Sequence, residues 1–322
     1  MANLIALMNK ITLGISSCLL GNKVRYDGGH KLDPFLTGTL GQYVEWIPVC
    51  PESACGLGIP REVMALEGDP ASPRIRTVWS NIDHTALLQR WIKGELKVLA
   101  DIDISGYVFK ARSPSCGVRD TKVFDGKCRI KSRGPGLFAR AVMDAFPLLP
   151  VEDEERMHDP VLRENFIERV FVYRRWREYI KEDGSLGGLV SFHTSHKYLI
   201  MAHSRKHYSA LGKLVAGAKK MRKSELHASY SGALMEGLKV LATPKKNTNV
   251  LQHMAGYFKD KLSHDEKKEL LEVIMNYHDG QAPLIAPITL LRNYVRKYEE
   301  GYLSRQVYLN PHPLELMLRN HA

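Results

Sequence analysis

The sequence contains few cysteines and no long apolar run. Its 322 residues include only five cysteines, and none of them lies after residue 128. Because no run of about 18 apolar residues is present, we predict no membrane span. The first residues carry neither a basic segment nor a cleavage site, so we predict no signal peptide and a cytoplasmic protein. An odd number of thiols in such a protein favours metal ligands or reactive thiols over a disulfide framework.

Acidic residues are missing from one basic segment. The chain has a net charge of +11 and a pI of about 9.3, which favours a polyanionic partner. Between Gly184 and Ser224 there is no Asp or Glu, and the basic residues there are Lys197, Arg205, Lys206, Lys213, Lys219, Lys220, Arg222 and Lys223. Such side chains contact phosphates, and the interleaved Tyr198 and Tyr208 can stack on bases. We therefore predict that this segment binds RNA; a solubilising face is the alternative.

Hydrophobic periodicity divides the chain into two parts. Residues 11–150 alternate strand-like and helix-like segments, which predicts an α/β, Rossmann-like domain with a mostly parallel sheet. The acidic residues 152–155 are interpreted as a solvated linker. Asp159 followed by Pro160 predicts the start of a helix, and helical periodicity then continues nearly to the end. We predict an α/β domain at residues 1–155 and an all-α domain at residues 156–322.

Three cysteines follow predicted buried strands. Cys18 comes after the strand at 11–15, Cys50 after that at 43–49, and Cys116 soon after that at 107–110. Because ligands collect beyond the carboxyl ends of parallel strands, these thiols can converge on one point. They could bind zinc with a fourth ligand, or three irons of a four-iron cluster. Cys55 is a candidate fourth ligand, although no CxxC pair or CxxxCxxC run is present; buried structural thiols are the alternative.

Polar residues lie beside the cysteines. Glu52 follows Cys50 by two residues and is a candidate for proton transfer, with a helix cap or a salt bridge as the alternative. Ser113 and Ser115 flank Pro114, and either hydroxyl could donate to a developing anion or simply cap a turn. Four charged residues near the same loops are second-line candidates: Arg25, Asp27, Arg61 and Lys110.

Histidines concentrate in the second half of the chain. We predict one helix over residues 198–215, and four histidines recur at helical spacing on one face: His193, His196, His203 and His207. They could form a metal site, but no cysteine or acidic partner lies near them in the sequence. We therefore favour hydrogen bonds to RNA or packing in the core.

The three cysteine loops together resemble a known family. The motifs are Ser17-Cys18-Leu19-Leu20-Gly21, Cys50-Pro51-Glu52 and Ser113-Pro114-Ser115-Cys116-Gly117. Over about residues 10–150 they are similar to the thiouracil desulfidase (TudS-like) family. The second half resembles the helical domain that is fused to this family in tRNA 4-thiouridine desulfidases (RudS type), for example at His196-Lys197-Tyr198-Leu199.

The resemblance implies an enzyme with a [4Fe-4S] cluster. It implies that Cys18, Cys50 and Cys116 hold the cluster, that one iron stays open, and that Glu52 and Ser113 are catalytic. The implied reaction is the non-redox conversion of 4-thiouridine in tRNA to uridine with release of sulfide. Two alternatives stay open: a desulfidase for free thiouracil, and a non-catalytic metal-containing RNA-binding protein.

Overall fold

The computed structural model describes residues 10–126, 129–313 and 316–320. The chain divides into two compact units, Met1–Asp159 and Pro160–Ala322, whereas the sequence predicted the boundary after Glu155. The first unit contains a parallel sheet with helices and the second is helical, so the predicted fold class is confirmed. Among the described residues, no helix is both long and apolar enough to cross a bilayer.

A four-stranded parallel sheet forms the centre of the first unit. Its strands are β1 (Ile11–Ser16), β2 (Val44–Val49), β5 (Tyr107–Phe109) and β8 (Val151–Asp153), in the spatial order β2-β1-β5-β8. Leu13, Ile15 and Val108 are almost fully buried, as expected where helices cover both faces of a parallel sheet. The strands β2, β1 and β5 are therefore adjacent in this sheet.

A second sheet was not predicted from the sequence. It has the order β4-β3-β6-β7 and consists of β3 (Met64–Glu67), β4 (Arg74–Thr77), β6 (Thr121–Phe124) and β7 (Ile130–Gly134). The sequence of residues 123–130, interrupted by Asp125-Gly126, predicts a hairpin. The strands β6 and β7 pair antiparallel, which confirms it. Cys128 lies outside the described residues.

The described part of the first unit has four α-helices beside the sheets. They are α1 (Pro51–Ala54), α2 (Thr85–Ile102), α3 (Leu137–Ala145) and α4 (Glu154–Met157). The helix α2 buries Leu88, Ile92 and Leu99, which are spaced by four and seven residues, the pattern of one apolar helix face.

The acidic segment at residues 152–155 is not a solvated linker, so that prediction is wrong. Glu152 and Glu154 are only 3% and 7% exposed. Each carboxylate has a cationic partner: Glu154 pairs with Lys110, and Glu152 pairs with Arg119 at 2.9 Å. The charges are buried because they are paired, and they tie this segment to the loop that follows β5.

The second unit consists of helices. They are α5 (Pro160–Glu182), α6 (Leu186–His203), α7 (Arg205–Ala216), α8 (Lys223–Lys239), α9 (Pro244–Ala255), α10 (His264–His278), α11 (Ile285–Lys297) and α12 (Gly301–Ser304). The predicted single helix over 198–215 is wrong, because Ser204 adopts an extended conformation with φ −150° and divides it. The Ser204 hydroxyl accepts a hydrogen bond from the amide of His207 and so caps the start of α7.

Candidate active site

The strands β2, β1 and β5 bring the three cysteine loops together. Ser16 at the end of β1 pairs with Val49 at the end of β2, so these two strands end at the same level. Cys50 follows β2 directly, and Cys18 lies in a short helical turn after β1. The loop after β5 carries Cys116. Neighbouring strands thus deliver the three thiols to one edge of the sheet.

One cavity is lined by all three thiols. It has a volume of about 420 Å³, and its walls include Cys18, Cys50 and Cys116 together with Glu52. Cys55 does not line it, and its thiol donates to the carbonyl oxygen of Glu52 at 3.3 Å. The described walls of the cavity therefore present three cysteine ligands rather than four.

The Cys116 loop is fixed by a serine and a glycine. The hydroxyl oxygen of Ser113 accepts hydrogen bonds from the amides of Cys116 at 3.1 Å and Ser115 at 3.3 Å. A Cβ at Gly117 would lie 2.0 Å from the Thr121 hydroxyl oxygen, so only glycine fits there. The loop is therefore held against its neighbours and presents Cys116 in one place.

Glu52 is clamped on both of its carboxylate oxygens. The hydroxyl of Ser115 donates to Oε1 at 2.6 Å, and Arg61 donates to Oε2 from Nε at 3.0 Å and Nη2 at 2.7 Å. Arg61 Nη2 also donates to the carbonyl oxygen of Val24 at 3.0 Å. Charge-assisted hydrogen bonds of this kind fix the orientation of a carboxylate. Glu52 is therefore oriented as one member of an Arg61–Glu52–Ser115 cluster.

The serine that contacts Glu52 is Ser115 rather than the predicted Ser113. Ser113 caps the turn with its oxygen and reaches Glu52 only through Ser115, with the two hydroxyl oxygens 3.1 Å apart. The sequence pointed to both hydroxyls of this motif. It could not distinguish them, because the distinction depends on which hydroxyl faces a residue 63 positions away.

Burial and mutual repulsion raise the pKa values of the thiols, and the nearby Lys110 and Arg25 do not outweigh burial at Cys18. Burial, with a contribution from the charge of Cys50, raises the pKa of the Cys18 thiol to about 11. Burial also raises the pKa of Cys116, and the charge of Cys50 acts in the same direction. Three thiolates at this place therefore require a strong positive charge, which a bound metal centre supplies.

The spacing of the sulfur atoms is wider than one metal ion requires. Among the described residues, the ligand atoms of Cys18, Cys50 and Cys116 do not all lie within 4.8 Å of one another. Sulfurs around one tetrahedral zinc ion, with Zn–S bonds of 2.3 Å, are about 3.8 Å apart. A group that contains several metal atoms needs a wider spacing, which the shared cavity allows.

The four second-line charged residues differ in their position relative to the cavity. Arg25 and Lys110 line the cavity, and the Lys110 ammonium is paired with Glu154. Asp27 is not among the lining residues and pairs with Arg25 at 3.5 Å. Arg61 is the one of these four candidates that holds Glu52.

The four histidines of the second unit do not share one helical face, so that prediction is wrong, and they do not form the metal site that was the less favoured alternative. The break at Ser204 separates His207 from the helix that carries the others. Each histidine has a different hydrogen-bonding partner: His193 contacts Tyr230, His196 the carbonyl of Phe192, His203 Glu168 and the carbonyl of Val240, and His207 Ser204. These contacts are of the core-packing kind that the sequence favoured.

The predicted RNA-binding residues lie mostly on the surface of the second unit. All of them are exposed except Lys197, which is half-buried: Arg205, Lys206, Lys213, Lys219, Lys220, Arg222 and Lys223. Tyr198 is only 5% exposed, so the prediction that its ring stacks on bases is wrong. Tyr208 is half-buried.

Comparisons with known proteins match both halves of the chain. A family model described as 2-thiouracil desulfurase matches residues 13–154, and one described as a protein of unknown function, DUF1722, matches residues 197–313. "Uncharacterized protein YbgA" of Escherichia coli (strain K12) is 32% identical over 143 residues, which are 44% of this chain and 85% of that protein. A solved structure titled [4Fe-4S]-dependent thiouracil desulfidase TudS is 28% identical and covers 47% of this chain and 95% of its own, with a TM-score of 0.37.

The fold and the site define a thiol-bearing α/β domain joined to a helical domain. The matched families divide the chain in the same way. The chain belongs to the thiouracil desulfidase (TudS-like) family, in a form whose family domain is fused to a helical domain. The predicted family resemblance is confirmed.

Proposed function

We propose that this protein is an iron–sulfur-dependent desulfidase that converts 4-thiouridine in tRNA to uridine and releases sulfide. The family supports cleavage of a C–S bond. The observation that carries the proposal is the convergence of Cys18, Cys50 and Cys116 in one cavity beside the clamped Glu52. In this reaction water replaces sulfur at C4 of the base, giving a carbonyl group and hydrogen sulfide. No electrons are gained or lost, so no redox partner is needed.

Cys18, Cys50 and Cys116 would hold a [4Fe-4S] cluster. Three cysteine ligands leave one of four irons without a protein ligand, because Cys55 does not line the described cavity. When bound, the cluster supplies a soft Lewis acid that suits a thiocarbonyl sulfur. The raised pKa of Cys18 means that loading releases protons and is favoured by alkaline pH.

Glu52 is the general base of the proposed reaction. Its carboxylate faces the cavity and accepts a proton from the attacking water. Arg61 prevents the side chain from turning away, because it donates twice to Oε2. Ser115 donates to Oε1 and its oxygen lies 3.1 Å from that of Ser113, so the two hydroxyls hold the carboxylate in place for this proton transfer. In this arrangement Ser113, the predicted catalytic serine, acts through Ser115.

The helical unit supports tRNA as the substrate. The exposed basic residues of α7 and of the segment that follows it carry positive charge that can contact phosphates. A free thiouracil base carries no phosphate and gains nothing from such a surface. The domain therefore serves to hold an RNA, and the cysteine cavity acts on one of its bases.

The test is anaerobic reconstitution of the full chain with iron and sulfide. Loss of 4-thiouridine absorbance from tRNA, with an equal amount of released sulfide, is the expected result. Turnover of free thiouracil without turnover of tRNA would favour the small-molecule alternative. A loaded protein that binds tRNA but releases no sulfide would favour the non-catalytic alternative. C55S is the matched control and should retain full turnover, because Cys55 lies outside the cavity lining.

A further inference from the structure

Four tyrosines of the second unit meet around one lysine. Tyr198 and Lys197 lie on α6, and Tyr208 lies on α7. Tyr302 lies on α12, and Tyr257 lies in the short turn Gly256–Phe258 after α9. These four rings and Lys197 are named the tyrosine cluster. Five residues from four segments meet here, although the sequence pointed only to Tyr198, Tyr208 and Lys197.

Two rings of the tyrosine cluster form a parallel stack. The ring centroids of Tyr257 and Tyr302 are 5.4 Å apart and the rings are inclined by only 8°. Tyr198 packs edge-on against Tyr302 at 6.4 Å and 76°, and it is buried. Tyr257 is 39% exposed. The stack therefore begins in the core at Tyr198 and ends at the surface with Tyr257, which can accept another flat ring.

Lys197 gives the tyrosine cluster a fixed positive charge. Burial alone would lower the pKa of Lys197, but Tyr302 and the hydrogen-bonded phenol of Tyr208 outweigh burial and raise it. The ammonium group lies near the phenols of Tyr208 and Tyr302, beside the stack. A half-buried lysine in such a place loses less conformational freedom on binding a ligand than an exposed surface lysine.

Exposed basic residues lie on the segments that carry the tyrosine cluster. Arg205 and Lys206 are exposed in the first turn of α7, on the same helix as Tyr208. Glu300, close in sequence to Tyr302, is already paired with Lys261 at 2.8 Å. An aromatic ring with an exposed end, a fixed ammonium group and further cations is the combination that binds unpaired nucleotides: bases stack and phosphates are neutralised.

We propose that the tyrosine cluster binds an unpaired nucleotide of an RNA, with the base stacked on Tyr257 and a phosphate contacted by Lys197. The inference rests on the proposed function in taking RNA as the partner, and it adds that the RNA is recognised at a single-stranded position. Paired bases present no free ring face, whereas bases in loops and at ends do.

The test uses the full chain and a labelled ten-nucleotide oligouridylate, free or annealed to oligoadenylate. Replacing Tyr257 by alanine should weaken binding of the single strand by about tenfold or more, since base–aromatic stacking is of that order. Binding of the duplex should change by less than about twofold, because it depends on phosphate contacts. Y257F is the matched control and should bind like the wild type, because it keeps the ring.

The salt dependence separates the two parts of the tyrosine cluster. K197M should reduce the slope of log affinity against log salt by about 0.7, whereas Y257A should leave the slope unchanged.

Equal affinity of Y257A and wild type for the single strand, or an equal loss for single strand and duplex, would overturn the proposal while RNA binding itself stands. A wild-type chain that binds no RNA would overturn it too. Release of sulfide from free thiouracil by the loaded chain would then show that the catalytic part of the proposed function survives.

Discussion

Two carboxylates in this molecule, the half-buried Glu52 and the buried Glu168, have similar partners but different surroundings. In the first unit, Glu52 lies between Arg61 and Ser115 and faces a cavity of about 420 Å³. In the second unit, Glu168 lies between Arg319 at 2.6 Å and His203 at 3.0 Å. The cavity beside Glu168 is smaller, at about 120 Å³. Both carboxylates are held in place, but only Glu52 shares its cavity with three thiols.

The comparison separates a reactive cluster from a stabilising one. Burial would raise the pKa of Glu168, but Arg319 and His203 outweigh it and lower the pKa to about 2. Arg319 also donates to Glu164 at 3.0 Å and to the carbonyl of Tyr308 at 2.6 Å. These groups neutralise one another and hold helices together. Lys110 and Arg25 lower the pKa of Cys18 less than burial raises it, so three thiolates beside Glu52 require further positive charge from outside the chain.

The largest effect should follow from loss of one cavity thiol. C50S removes one of three ligands, and we expect bound iron and desulfidase turnover to fall by more than about 100-fold. C55S should leave both unchanged, because Cys55 does not line the cavity. Iron content and turnover of thiolated tRNA, measured on the two variants side by side, check this prediction. Equal loss in both variants would mean that Cys55 is also a ligand.

The next effect concerns the two serines of the Cys116 loop. S115A removes the donor to Glu52 Oε1, and we expect kcat to fall by about tenfold or more while the iron content is kept. S113A removes the acceptor for the amides of Cys116 and Ser115, so it should lower stability and iron retention as well. Steady-state kinetics and iron analysis distinguish the two. Identical behaviour of S115A and S113A would contradict the separate roles.

Removal of Glu52 as a base should lower turnover without loss of the metal centre. E52Q keeps the size of the side chain but cannot accept a proton, so we expect kcat to fall by about 100-fold or more. The absorption of the loaded protein should match the wild type, because Glu52 is not a proposed ligand. Full turnover of E52Q would reject the role of Glu52 as general base.

Loss of Arg319 from the cluster of Arg319, Glu164 and Glu168 should lower the free energy of unfolding rather than the turnover. R319M leaves Glu164 and Glu168 without their cation, and breaking a buried pair from one side costs about 3–5 kcal/mol. K239M removes an ion pair to Glu236 whose side chains are 50% and 56% exposed, so the cost should be below about 1 kcal/mol. Urea unfolding followed by circular dichroism measures both. A small loss in R319M would mean that the cluster does not hold the helices together.

The convergence of the cysteines could be predicted because it follows from the topology of the sheet. Parallel neighbouring strands end at one edge of the sheet. Cys18, Cys50 and Cys116 can therefore be placed together without knowing any side-chain position. Helical spacing was a weaker guide to the histidines. It assumed an unbroken helix, and the single extended residue Ser204 invalidated that assumption.

Contacts between distant segments could not be predicted. The burial of Glu154 depends on Lys110, 44 positions away, so a run of acidic residues was misread as a solvated linker. The stack of Tyr257 on Tyr302 joins segments of the chain that have no common pattern. Sequence patterns report the elements and their order, whereas partners across elements are determined by how those elements pack.

The smallest effect should appear in the acid stability of the helical unit. Burial, with a contribution from the charge of Arg319, lowers the pKa of His312 to about 4, below its usual value of 6.5. The unfolded chain therefore binds a proton first as the pH falls, and the free energy of unfolding should decrease between pH 6.5 and about 4, by up to about 1.4 kcal/mol per pH unit. H312Q should flatten this slope, and H264Q, at an exposed position, should not. The same slope in H312Q and wild type would show that the acid sensitivity arises elsewhere.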